Sequence, residues 1–305
     1  MRFVVCGENL IDLIPAEVVS TAESRWSALA GGGPLNTSVA LAKLGADTHY
    51  LGRIGADAFG RQIEEHLLAN GVQLDLAVRS EDPTALGIVS LDEFGKASYN
   101  FHLRGTAGFS WRPGEFPELT DDDWLHFGSI GSVVGSGVRP LLDFVGSTEA
   151  AVSFDLNVRP TVIPDRSEYY ELVSPLMAAV GRSGGIVKAS DEDINWLVDD
   201  DNALAYAEAW AVEYDLSMFV VTLGEHGAVA VKPDGRHVSV KGRRVELVDT
   251  VGAGDTFMAG FLTQYAQNPE DLELALEQGI AASALVCTRK GANPPTLEEV
   301  LAFLA

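Results

Sequence analysis

Basic residues are scarce in this chain: 21 Lys and Arg stand against 44 Asp and Glu in 305 residues, a formal charge of −23. A field of that sign repels nucleic acid and anionic membrane surfaces, so neither is expected as a partner. It also repels phosphates at long range, so a nucleotide site must draw positive potential locally from backbone N–H groups, Arg or Mg²⁺. Cysteine is rarer still. Cys6 and Cys287 both sit in apolar runs; they could form one disulfide, but free buried thiols in a reducing cytosol are the expectation. No stretch approaches the length of a transmembrane helix, and the run MRFVVCGENLIDLIP is cut by Glu8 and Asp12 before it reaches the length of a signal segment. The chain therefore reads as soluble and cytoplasmic. A Walker A loop is missing, and so is GxGxxG after the first strand. Their absence removes P-loop nucleotide hydrolases and argues against a dinucleotide dehydrogenase.

What is present is an α/β pattern. With 47% hydrophobic residues the chain can bury a full core. Apolar, strand-like runs at 3–6, 48–52, 125–127, 151–155, 185–188 and 219–222 alternate with helical periodicity at 34–44, 57–71, 138–145, 169–180, 191–197 and 203–214. Pro34 opens the first of these helices and Gly45 stops it; Asp57 caps the second, which ends at Asn70-Gly71. Two runs, 85–91 and 97–103, look like a hairpin joined by the turn DEFGK, where Gly95 permits positive φ. A meander over 228–231, 237–240 and 245–248 precedes closing helices at 255–267, 272–288 and 297–304. The pattern predicts a doubly wound, mostly parallel sheet with helices on both faces and a small β-sheet lid.

The most informative segment is DTVGAGDTFMAGF, Asp249 to Phe261. A strand-like run feeds a turn with Gly252, Ala253 and Gly254, followed at once by Asp255 and a periodic apolar run. That order places N–H groups and the positive end of a helix around a point where anionic oxygens can sit, with a carboxylate beside it. An anion cradle next to a base suits phosphoryl transfer to a hydroxyl. Taken alone, Gly-rich turns before helices are common, and an Asp in a first turn often only complements the dipole.

The whole string DTVGAGDTF resembles the C-terminal signature of the ribokinase-like (PfkB) carbohydrate kinases. The resemblance makes Asp255 the base and gives the anion hole to the N–H groups of Gly252, Ala253 and Gly254. GGGPLNTSVALAKLG, Gly31 to Gly45, is similar to the family's N-terminal signature in its fructokinase branch; it puts Gly32, Gly33 and Asn36 on the sugar. Asp12 in GENLIDLIP resembles a fructokinase sugar ligand, though an exposed loop acid is the plain alternative. Arg104 in YNFHLRGTAG resembles a lid arginine that reaches the sugar, against a solvated edge residue. FDLNVRP, Phe154 to Pro160, offers Arg159 for substrate or phosphate, against an ordinary ion pair.

For the nucleotide, KASDEDINWL puts Ser190 and Asp193 where the family has its NxxE element, beside Lys188, while local capping accounts equally well for both residues. VVTLGEHGAVAV, with Thr222, Gly224 and Gly227, is similar to the family's nucleotide-carrying turn; a β-hairpin explains it as well. TRKGANPPT resembles the segment at a monovalent-cation site, which places a candidate K⁺ site near Asp249, Thr250 and Gly291. Mg²⁺ is expected to arrive on ATP, without direct protein ligands. The resemblance thus implies one ribokinase-like domain over 1–305, with a lid from about 12–30 and 84–107, pairing into a homodimer through that lid. It implies ATP-dependent phosphorylation of a monosaccharide, fructose to fructose 6-phosphate. A 2-keto-3-deoxygluconate kinase or a ribokinase is the near alternative, and a non-catalytic sugar-binding regulator the distant one.

Overall fold

The computed structural model describes residues 1–91, 97–112 and 114–305, with Leu91 and Ala97 by their backbone alone. The expected DEFGK turn and its Gly95 lie outside the described residues.

The first strand, β1 (Arg2–Cys6), is apolar and buried from Phe3 onward, as a strand covered on both faces must be. It is followed by β2 (Leu10–Val18), β3 (Ser24–Gly31), α1 (Gly33–Lys43), β4 (Thr48–Leu51), β5 (Arg53–Gly55), α2 (Ala58–Ala69), β6 (Val78–Ser80), β7 (Ala85–Leu91) and β8 (Ala97–His102). The second half runs β9 (Asp123–Gly128), α3 (Val138–Ser147), β10 (Ala151–Asp155), α4 (Arg166–Arg182), β11 (Ile186–Ser190), α5 (Asp191–Val198), α6 (Ala203–Glu213) and β12 (Met218–Thr222). It closes with β13 (Gly227–Val231), β14 (His237–Lys241), α7 (Ala253–Tyr265), α8 (Leu272–Val286) and α9 (Leu297–Leu304).

Eight strands form one sheet in the order β14-β13-β12-β11-β10-β9-β1-β4, parallel from β12 to β4 with β13 and β14 antiparallel at the edge. Residues of α1, α7, α8 and α9 cover one face, around Phe3, Val220, Phe257 and Phe261. Residues of α3, α4, α5 and α6 cover the other, around Phe127, Phe154, Tyr169 and Trp210. Strand order reverses at β1, and open α/β sheets take ligands beyond the carboxyl ends of their strands at such a reversal.

A second sheet, β3-β2-β7-β8, stands apart from the first. Ile11, Leu13, Ala28, Ala30 and Leu86 pack its underside onto Ile63 and Leu67 of α2. Asp57, the N-cap of α2, accepts Gly60 N at 2.8 Å and also Thr84 N and Oγ1 at 2.8 and 2.7 Å, which pins the entry to β7.

Asp12 lies on strand β2, within the expected lid and not in the loop that was its alternative. Two sequence expectations need correction. Residues 245–248 form no strand: Arg243 and Arg244 carry the chain past the sheet edge, and Val248 N and Asp249 N both donate to the carbonyl of Cys287. Of the two free thiols, Cys6 is buried but Cys287 is only half-buried.

Candidate active site

Two helix starts converge at the cleft, and glycine makes both possible. Gly32, the N-cap of α1, has φ 118°, a region closed to other residues. A Cβ there would lie 2.7 Å from Glu8 O. Gly252, the N-cap of α7, has φ 77°, and a Cβ on it would lie 2.8 Å from Ala292 Cβ. Neither helix has a side-chain cap, so the first-turn N–H groups stay available to a ligand. At α7 the division of labour is finer than the motif suggested: Ala253 N turns back to Thr250 O at 3.1 Å, while Gly252 N, Gly254 N and Asp255 N have no acceptor among the described residues.

Asp255 is the third residue of α7 and 7% exposed. Its Oδ2 accepts from Asn36 Nδ2 at 2.9 Å, so the two signature segments, 219 positions apart in sequence, meet in one hydrogen bond. Asn157 Nδ2 stands 3.4 Å from Oδ1. Burial, with a smaller push from Asp155, raises the Asp255 carboxyl to about 7, against the pull of the Asn36 hydrogen bond and of Lys188 and Arg159. A carboxylate that titrates near neutrality is suited to accepting a proton.

Asp12 faces this point from the lid. It is half-buried, and its carboxylate occupies space left by two glycines: a Cβ at Gly31 would lie 2.8 Å from Oδ2, and one at Gly87 2.6 Å from Oδ1. Burial raises Asp12 to about 6, and Arg159 opposes the shift. Gly87 pairs with Asp12 on one side and Phe101 on the other, and Tyr99 stacks on Phe101 at 5.4 Å. A carboxylate beside aromatic rings is a surface that fits a sugar, with hydroxyls to one and C–H faces to the other. Gly33 closes against Asn157, where a Cβ would lie 2.9 Å from Nδ2. Arg104 is exposed beyond β8 and makes no hydrogen bond among the described residues. The cation that acts on Asp12 is instead Arg159, which opposes the upward shifts of Glu8, Asp12 and Asp255 alike and makes no ion pair among the described residues.

A cavity of about 800 Å³ opens on the other side of the α7 turn. All five residues expected on the nucleotide line it: Lys188, Asp193, Thr222, Gly224 and Gly227, together with Ala253, Gly254 and Arg159. Gly224 to Gly227 is also the turn between β12 and β13, so the hairpin and pocket readings both hold. Asp193 is fully engaged: Oδ2 accepts Ser190 N and Oδ1 accepts Val158 N, both at 2.9 Å, in a capping box that orders α5 and the 155–159 loop. Lys188 Nζ contacts both oxygens of Asp155 at 3.1 and 2.9 Å. Near the cavity, Asp249 accepts Val251 N and Gly291 N at 3.1 and 2.8 Å, which brings the 249–252 and 288–293 turns together.

Sequence reasoning passed over three residues that the fold places here. Asn157, within the FDLNVRP element, takes φ 41° and turns its amide to Asp255. Ser129, at φ 62°, follows β9. Glu8 is fully buried after β1, with Oε2 on Gly131 N at 2.9 Å, Oε1 without a partner among the described residues, and its pKa raised by burial. An acid directly after an apolar strand was the available signal for Glu8; Ser129 had none.

The sequence profile of the pfkB family carbohydrate kinases matches residues 1–299. A fructokinase of Rhizobium leguminosarum bv. trifolii is 34% identical over 295 residues, covering 95% of this chain and 86% of that protein. A fructokinase double mutant from Vibrio cholerae O395, solved in fructose-, ADP- and potassium-bound form, superposes with a TM-score of 0.83 at 28% identity, covering 100% of this chain and 98% of that one. Aminoimidazole riboside kinase from Salmonella enterica, at 23% identity and a TM-score of 0.86 over the full length of both chains, shares the fold.

Proposed function

The chain belongs to the pfkB family of carbohydrate kinases, and on that footing we propose that its reaction is transfer of the γ-phosphoryl group of ATP to the 6-hydroxyl of fructose. The protein is an ATP-dependent sugar kinase; fructose is the acceptor carried by the fructokinase relatives. The observation that bears most weight is the buried Asp255 carboxylate, held by Asn36 between the lid face and the cavity.

In this reading Asp12, Gly32, Gly33 and Asn36 hold the sugar hydroxyls, and Arg159 rather than Arg104 supplies the cation on that side. Asp255 accepts the proton of the 6-hydroxyl as its oxygen bonds to the γ-phosphorus; the bond to the β–γ bridging oxygen breaks and ADP leaves. Free N–H groups of Gly252 and Gly254, with that of Asp255 itself, meet the charge on the transferring group, and Ala253 shapes the turn. Lys188, Thr222, Gly224 and Gly227 contact the nucleotide, while Asp193 orders the wall behind it. Among the described residues no group of three His, Cys, Asp or Glu is placed to hold a metal ion; the reading has Mg²⁺ arrive on the triphosphate. Mg²⁺ would neutralise phosphate charge there; Asp191 and Glu192 are the acids that line the cavity beside Asp193. K⁺ would sit against the backbone of the turns holding Asp249, Thr250 and Gly291. Closure of the lid would exclude water.

Two further parts of the reading concern the protein's surroundings. The small sheet exposes Val18, Trp26, Leu29 and Tyr99, at 81, 43, 41 and 40%, apolar side chains that would be partly covered if two copies paired through it. No helix of the described residues is long and apolar enough to cross a membrane, and the reading has the reaction run in the cytoplasm, where ATP is supplied. A second substrate has one observation in its favour: Arg159, which makes no ion pair among the described residues, is what the carboxylate of 2-keto-3-deoxygluconate would need. A coupled ADP-release assay with ATP and Mg²⁺ over fructose, 2-keto-3-deoxygluconate, ribose and glucose tests the assignment. Fructose should lead; preference for the sugar acid would move the substrate, and binding without turnover would leave a regulator.

A further inference from the structure

Burying an ammonium with a carboxylate returns little stability, because both give up their hydration. Lys188 and Asp155 are nevertheless 3% and 4% exposed. The sheet sets them side by side: Asp155 and Lys188 are register partners at the carboxyl ends of β10 and β11. Two of the three ammonium donors go to the Asp155 oxygens, at 3.1 and 2.9 Å. On its other side the ammonium abuts the anion cradle, for a Cβ at Gly254 would lie 2.9 Å from Nζ. Gly254 has an ordinary helical φ, so backbone freedom does not explain the glycine. Room for the Lys188 head group does. Lys188, Ala253 and Gly254 line the same cavity.

We propose that Lys188 is a catalytic residue, touching the transferring phosphoryl group from beneath the Gly252–Gly254 turn, and that Asp155 is the positioning residue that holds it there. The inference rests on the kinase reading and deepens it. A cradle with no Walker lysine thereby gains a fixed cation from a neighbouring strand. Lys188 keeps its proton throughout. Burial lowers its pKa, but Asp155, Asp193 and Asp255 more than restore it. As the acceptor oxygen bonds to phosphorus and the bridging oxygen departs with ADP, the proton still goes to Asp255, and the ammonium stays charged against the phosphoryl oxygens.

The dyad also acts on the base. The groups around Asp255 are Asn36 of α1, Asn157 and Arg159 after β10, Asp155 of β10 and Lys188 of β11. Asp155 raises its pKa and Lys188 lowers it. Removing one or the other must therefore displace the acidic limb of the kcat/KM profile in opposite directions.

The test compares Lys188→Met, Asp155→Asn and the double variant with the parent, in the full chain, by coupled ADP release with fructose. Lys188→Met should lower kcat by about 10²–10³, leave the fructose KM within about threefold, and move the acidic limb to higher pH. Asp155→Asn should move it to lower pH. The double variant removes both members of the ion pair rather than stranding one, so it should fold; it should keep the loss in kcat while its limb returns toward the parent's. A folded double variant with kcat within about threefold of the parent, or single variants whose limbs move the same way, would overturn the dyad in an active enzyme. A parent that phosphorylates no sugar would overturn both the dyad and the kinase reading.

Discussion

Asp255→Asn should stabilise the protein above neutral pH while disabling it. The carboxyl is raised from 3.8 to about 7, a difference of about 3 units and so, at about 1.4 kcal/mol each, about 4 kcal/mol at most. The sign follows from proton counting. Between pH 4 and 7 the unfolded chain has lost this proton and the folded chain still holds it, so stability falls as pH rises through that window and is level above it. Asparagine carries no such titration, and its side-chain oxygen can still accept from Asn36. Urea unfolding of both proteins at a series of pH values should show matched stabilities near pH 4, a gap favouring the variant that opens up to pH 7, and a constant gap beyond. The other buried acids, Glu8 and Asp193, titrate in both proteins and cancel. A gap independent of pH, or a variant less stable than the parent at pH 8, would mean that Lys188 and Arg159 already compensate the buried charge, and the reasoning would fail.

Three further outcomes are expected. The kcat/KM of the parent should fall about tenfold per pH unit below a midpoint near 7, as the base of the free enzyme is protonated; a midpoint near 4 in a pH–rate series would contradict the burial argument. Asp12→Asn should raise the fructose KM about 10- to 100-fold, the worth of a hydrogen bond to a charged group, with the ATP KM little changed; equal losses on both substrates in steady-state kinetics would remove Asp12 from the sugar side. Gly252→Ala meets both a φ of 77° and Ala292, so it should cost about 1–3 kcal/mol of stability in urea and slow turnover; a neutral substitution would show that the turn is not constrained as described.

Asp255 was legible in the sequence because its signal is local: glycines, an acid and an apolar helix within one short string. The alternating strands and helices of the large sheet were legible for the same reason, since each strand buried on both faces is a continuous apolar run. What escaped was set by distant partners. LIDLIPAEV, with Asp12 and Pro15, entered the expected lid only through the family resemblance; its strand is made by pairing with β3 and β7, which carries Asp12 as part of β2. Residues 245–248 have strand-forming side chains but no neighbour to pair with, and their backbone went to the end of α8 instead. Arg104 and Arg159 were equal candidates by motif; only the fold sets Arg159 among Glu8, Asp12 and Asp255. Asn157 depended on a positive φ that no asparagine announces in advance.

The most direct test of the central claim is phosphorus NMR of the product formed from fructose, ATP and Mg²⁺ by the parent and by Asp255→Asn. The account predicts fructose 6-phosphate and ADP in equal amounts from the parent, and a rate lower by at least about 10² from the variant with fructose still bound. Phosphate released as the free ion, a product phosphorylated elsewhere on the sugar, or an undiminished variant would contradict it.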